Sequence, residues 1–153
     1  MDFTKISYER KAKAVTLRWQ TLAGKDTVKH ELESSDVPAP ALPKALDAFL
    51  PEVLKLLKLP TEYGLGLEIR GLSINYEEDG RRGVVVTCLK SLDTANSPLV
   101  MNTPHLREFG SDDEGGIFMP SEWEDLLNAA VGAAKDFSRG IREQAGLFDQ
   151  AAD

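Results

Sequence analysis

Two histidines, His30 and His105, and one cysteine, Cys88, are all that 153 residues offer for imidazole or thiol chemistry. A nucleophilic site needs a nucleophile, a base beside it and a group that orients the base. His30 alternates with Val28 and Leu32, the pattern of a strand residue at the edge of a core. His105 follows Pro104 in a loop-like stretch. Cys88 lies in the apolar run Gly83–Leu89, so a buried, inert thiol is expected. Neither histidine has metal-ligand spacing, and one thiol makes no cluster. Asp112, Asp113 and Glu114 lack the alternating ligand positions of a calcium loop and read as a solvated acidic loop. Gly64-Leu65-Gly66 precedes a strand instead of opening a helix, which is wrong for a phosphate loop. The expectation is no catalytic residue, no metal, no cofactor and no enzyme.

Cations near aromatic residues offer a different chemistry. Arg10, Lys11 and Lys13 fall between Tyr8 and Trp19, with Arg18 beside the tryptophan; Arg81 and Arg82 fall at a hairpin tip. Exposed rings stack bases while cations hold phosphates, which is how sheets grip single-stranded DNA. The competing reading places Trp19 in the core and uses the lysines to guard an edge strand against aggregation. Charge is polarised along the chain. Residues 1–30 carry seven bases and three acids, net +4, and residues 108–153 carry three bases and eleven acids, net −8, within a total of −7. Such asymmetry occurs in nucleic-acid-handling proteins, and also wherever two faces are simply solvated.

The C-terminal segment holds Gln144-Ala145-Gly146-Leu147-Phe148. A Gln, two variable residues and Leu-Phe resembles the peptide by which bacterial replication and repair proteins dock on the DNA sliding clamp. The resemblance covers residues 144–148 only. It implies that Leu147 and Phe148 fill an apolar groove while the Gln144 amide sets register. The alternative is that Leu147 and Phe148 finish the apolar face of the last helix, although Gly140 and Gly146 each disfavour a continuous helix by about 1 kcal/mol.

These groups must be positioned by strands and a few helices. Residues 3–22 read as one long strand with a parity switch, hence a bulge, near residues 11–14. Ala23–Asp26 is a turn and Thr27–Glu33 a return strand. Ala41–Leu59 is helical, with Pro51 forcing a kink or two short helices and Pro60 the stop. Leu65–Glu78 is a second long strand, bulged at Gly71, paired through Asp79–Gly83 with Val84–Ser91. Ser97–Asn102 adds a strand near an edge. Residues 108–119 read as a mobile loop. Ser121-Glu122-Trp123-Glu124 has capping-box form and opens a long helix with its stripe at Leu126, Leu127, Ala130, Ala134, Phe137 and Ile141. The fold class is α+β, an antiparallel sheet of two bulged hairpins in the order ββαβββα, with helices packed on it. Residues 1–143 form the domain and residues 144–153 the tail.

With 42% hydrophobic and 28% charged residues, the chain has the composition of one globular domain. It has no apolar run of membrane-spanning length and no signal-like N-terminus, so a cytoplasmic protein without a membrane partner is expected. The leading functional expectation is a DNA replication or recombination accessory protein, resembling those of phage and prophage DNA metabolism. It would bind single-stranded DNA, or a replication or recombination protein, and be tethered to the clamp. Two alternatives remain open at this level: an acidic protein-binding module that inhibits a host DNA-handling factor, and a homo-oligomer assembled through edge strands.

Overall fold

Val15, Leu17 and Trp19 alternate with Thr16, Arg18 and Gln20, and this period of two builds the first unit of the fold. A computed structural model describes residues 1–94, 96–108 and 117–142. Strands β1 (Asp2–Glu9), β2 (Ala14–Ala23) and β3 (Asp26–Ser34) form an antiparallel meander. The single strand expected over residues 3–22 is therefore two strands. The parity switch near Lys11 is a hairpin turn, closed by the Lys13 amide donating to the Arg10 carbonyl at 3.3 Å. Lys13 takes a left-handed φ of 52°, which a lysine does not advertise in sequence. A bulge does exist in β1, but at Thr4, where pairing passes from Phe3↔Trp19 to Lys5↔Arg18. The extra residue lets both Phe3 and Ile6 reach the core.

The helical segment breaks into α1 (Ala41–Asp47) and α2 (Phe49–Leu56). The break at Ala48 puts Pro51 in the first turn of α2, where a missing N–H costs no helical bond. A turn of 3-10 helix at Thr61–Gly64 leads into β4 (Leu67–Tyr76), which pairs with β5 (Arg82–Lys90). Arg70 is the extra residue of a bulge between Ile69↔Cys88 and Gly71↔Thr87, at the expected place. β6 (Leu99–Asn102) and the two-residue strand β7 (Leu106–Arg107) both pair with β5. β8 (Ile117–Phe118), inside the segment expected as loop, lies parallel to β7. The order is thus βββααβββββα, longer than expected but of the same α+β class, with a bulged first strand in each hairpin.

The last helix, α3 (Ser121–Ser138), starts from Pro120, and no side chain caps it. The expected capping box does not form, because Ser121 is already the first helical residue. Trp123, Leu127, Ala130, Ala134 and Phe137 bury its stripe, while Ile141 stays exposed. Gly140 ends the helix at φ 93°, and Arg142 turns back onto the domain. Its guanidinium lies 3.6 Å from the Phe137 ring centroid and 3.2 Å from Asp36, and its backbone bridges to Pro38.

The strand order is β3-β2-β1-β4-β5-β7-β8, with β6 beside β5. The three α-helices of the described residues cover one face. Phe3, Ile6, Leu17, Leu72 and Val86 meet Phe49, Trp123 and Leu127 there, and the Phe49 and Trp123 rings pack edge to face at 5.5 Å. Among the described residues the strands of the two hairpin units pair along β1 and β4, through Lys5↔Ser73, Ile6↔Leu72 and Ser7↔Gly71. Gly71 permits the close approach: a Cβ there would lie 2.5 Å from the Ile6 carbonyl oxygen and 2.9 Å from the Ser7 Cα. Tyr76 ties the same seam by donating from its hydroxyl to the Phe3 carbonyl at 2.7 Å.

Gly71→Ala is expected to lower stability by about 1–3 kcal/mol, because backbone must move to admit the methyl group; urea denaturation measures it. Burial, reinforced by the Asp2 carboxylate, pushes the Tyr76 hydroxyl up to about 12. The fold favours the neutral phenol, so its stabilising contribution is complete below about pH 10 and is lost as pH rises towards 12. Tyr76→Phe is expected to lose about 1 kcal/mol at neutral pH and to flatten that alkaline decline, as read by thermal melts across the range.

Candidate ligand-binding surface on the uncovered sheet face

Among the described residues no helix covers the opposite face of the sheet. Once Thr4 has reset the parity of β1, Lys5 and Ser7 point there while Ile6 points to the core. Ser73 pairs with Lys5 and Val85, and Thr87 pairs with Gly71 and Asn102. Small residues at adjoining outward positions leave a basin of about 370 Å³ over the β1–β4 seam. Lys5 and Arg70 flank it, Ser7, Ser73 and Thr87 supply hydroxyls, and Leu89 and Val100 form an apolar wall. Among the described residues no carboxylate lines this basin.

Arg70 also donates to Glu9 at 3.0 Å, which holds its long side chain at the rim. Lys5 has no ion-pair partner among the described residues, so its charge is available to a ligand. The Thr87 hydroxyl donates to Asn102 Oδ1 at 2.7 Å and so keeps its lone pairs free to accept. The basin continues past Arg70, Leu89 and Val100 into a second hollow of about 640 Å³, where Glu9, Lys11 and Glu68 mix the charge. A third hollow, about 540 Å³, lies over β2 and β3 among Thr4, Arg18, Trp19, Gln20, Lys29, His30 and Glu31.

Of the residues expected to hold nucleic acid, Arg18 and Trp19 border the third hollow and Lys11 the second, and the others do not join them. Lys11 and Lys13 are exposed in the β1–β2 turn. Arg10, in the same turn, contacts Asp47 of α1, lies 3.8 Å from Glu68, and sits 5.9 Å from the Tyr8 ring centroid. Arg18 is on the uncovered face but bonds Glu31 at 3.0 Å. Trp19 is on the other face, half-buried against Phe3 and stacked on His30 at 5.3 Å, with His30 Nε2 2.9 Å from the Thr21 hydroxyl. Arg81 bonds Asp79 and Glu77. Arg82 grips Glu108 through Nε at 2.9 Å and Nη2 at 3.2 Å, and its backbone amide also donates to that carboxylate. This clamp pushes the Arg82 guanidinium up and the Glu108 carboxyl down from their ordinary values, and it pins β7 to β5. Gln144, Leu147 and Phe148, with Asp112, Asp113 and Glu114, lie outside the described residues.

Sequence reasoning missed Lys5, Arg70 and their hydroxyl neighbours. The signal was the clustering of small polar residues, Ser7, Gly71, Ser73 and Thr87, within strands. Its meaning depends on two bulges and on the β1–β4 pairing.

The other groups singled out in the sequence are His105 and Cys88. His105 Nε2 lies 2.6 Å from Asn75 Oδ1, above Gly83. Cys88 is buried, and burial pushes its thiol up to about 11. Among the described residues no three His, Cys, Asp or Glu side chains gather as a metal site, and no helix is long and apolar enough to cross a membrane. No protein-family model matches the chain, and no curated protein sequence or solved structure matches it.

Cys88 in the folded protein is expected to resist thiol reagents at pH 8 and to react at once in denaturant. Rapid labelling without denaturant would contradict its placement in the core.

Proposed function

We propose that this chain is a non-enzymatic accessory protein of DNA replication or recombination. It holds single-stranded DNA on the uncovered sheet face and docks on the sliding clamp through Gln144, Leu147 and Phe148. The observation that carries the DNA half is the basin at the β1–β4 seam, lined among the described residues by two cations and three hydroxyls and by no carboxylate. A phosphate seated there receives charge-assisted hydrogen bonds from Lys5 and Arg70 while a sugar or base packs on Leu89 and Val100. Lys11 adds a third cation in the neighbouring hollow, beside Glu9 and Glu68. The tail supports the clamp half by its resemblance alone. A tether suits a weak binding face, because it raises local concentration without new contacts.

Three cations engaging phosphates give a slope of about −2 for log affinity against log salt on a single strand. Fluorescence-anisotropy titration of labelled single-stranded DNA is expected to show saturable, salt-sensitive binding of that slope. Lys5→Glu and Arg70→Glu should each weaken it about tenfold, and Arg81→Glu should leave it unchanged. Equal losses in all three variants would mean a diffuse charge effect and no site.

Deleting residues 144–153 is expected to abolish binding to a bacterial sliding clamp while leaving the thermal melt and DNA binding in place. Clamp binding that survives the deletion would remove the tether from the account.

A second reading rests on the second hollow, where Glu9 and Glu68 face an apolar wall that includes Val100 at 57% exposure. Mixed charge beside apolar surface suits a protein partner, such as a host DNA-handling factor that this acidic chain inhibits. Absence of DNA binding at the lowest salt selects that reading.

A further inference from the structure

The sheet ends at β3, and among the described residues nothing pairs with its outer edge. Nine residues long, β3 is an open template for another strand. Natural edges are commonly blunted with charged side chains, lysine above all, and a run of one sign repels an incoming copy. This edge instead changes sign along its uncovered-face side: Lys29, Glu31, Glu33.

We propose that the protein forms a two-fold dimer in which β3 pairs antiparallel with β3 of a second copy, centred on His30. The charges select the register. With His30 opposite its own copy, Lys29 stands opposite Glu31 of the other chain, and the symmetry makes that pair twice. On the other face Val28 stands opposite Leu32. Both are apolar, and Val28 is 40% exposed in the single chain. Sliding by one pleat in one direction sets Lys29 against Lys29; sliding in the other sets Glu31 against Glu31. Like charges directly opposite one another oppose pairing, and shifts of odd number turn the apolar pair to the wrong face.

Glu31 is already held by Arg18 at 3.0 Å, so the incoming lysine completes an Arg–Glu–Lys row across three strands. The central His30 is fixed by its stack on Trp19 and its contact with Thr21. The symmetry axis of such a pairing stands perpendicular to the sheet. Both helix layers then lie on one side and both uncovered faces on the other, so the two basins share one continuous surface. The dimer stands on the edge alone and does not depend on what the basin binds.

Sedimentation equilibrium of the full chain tests it. The wild type is expected to be a dimer. Lys29→Glu, which places glutamates opposite one another, and Glu31→Lys, which places lysines opposite one another, are each expected to be monomeric. An equimolar mixture of the two variants is expected to form a heterodimer. One variant then carries acid at both positions 29 and 31 and the other carries base at both, so every facing pair is again of opposite sign. Lys29 makes no ion pair within its own chain among the described residues, so Lys29→Glu keeps the test valid even should Glu31→Lys, which loses Arg18, fail to fold. Circular dichroism checks folding of each. A wild type that stays monomeric up to millimolar concentration overturns the proposal. So does a dimer indifferent to both reversals, or a mixture of folded variants that remains monomeric.

Discussion

Two hairpin units meet along a seam of three residue pairs, between β1 and β4, and both faces of the molecule follow from how closely they meet. Gly71 sets that distance, since any side chain there would strike the backbone of Ile6 and Ser7. On the inner side the seam brings Ile6 and Leu72 together under the helices. On the outer side it brings Lys5, Ser7 and Ser73 together around the basin. One backbone contact thus supplies the middle of the core and the floor of the basin. The bulges at Thr4 and Arg70 stand on either side of it, and each re-aims its strand so that apolar residues remain inside.

Charge is distributed to match. Arginine is used mainly to fasten elements: Arg82 to Glu108, Arg81 to Glu77 and Asp79, Arg142 to Asp36 and Phe137. Its planar fork suits such fixed pairs, and its five donors let Arg70 hold Glu9 while keeping N–H groups for the basin. The lysines of the N-terminal unit are less engaged, and Lys5 is the one set beside the hydroxyl floor. A net charge of −7 opposes indiscriminate binding of polyanions, so the proposed contact with DNA relies on a few groups gathered at one place.

How much of this the residues announced depended on whether the signal was local. The β4–β5 hairpin was readable because Asp79-Gly80 marks its turn and Gly71 marks its bulge. The helix break was readable from Pro51, and the core positions of α3 from their period. The turn at Arg10–Lys13 was not, because Lys11-Ala12-Lys13-Ala14 holds no glycine, proline or asparagine and Lys13 alone adopts the left-handed conformation. β7 and β8 are too short to show any period, and they exist because β5 and the Arg82–Glu108 clamp hold them. For the surface the limit was parity. Arg18 and Trp19, adjacent in sequence, point to opposite faces, whereas Lys5 and Arg70, far apart in sequence, flank one basin. Alternation predicts the first relation; only strand pairing creates the second.

The central claim is that the uncovered face at the β1–β4 seam is the working surface. The direct measurement is amide chemical-shift mapping of the isotopically labelled protein during titration with a short single-stranded oligonucleotide. The account predicts that the largest changes fall at Lys5, Ser7, Arg70, Gly71, Ser73 and Thr87, with α1 and α3 unmoved. Changes centred on the Trp19–His30 ledge or the Arg81–Arg82 tip, with the seam silent, would contradict it.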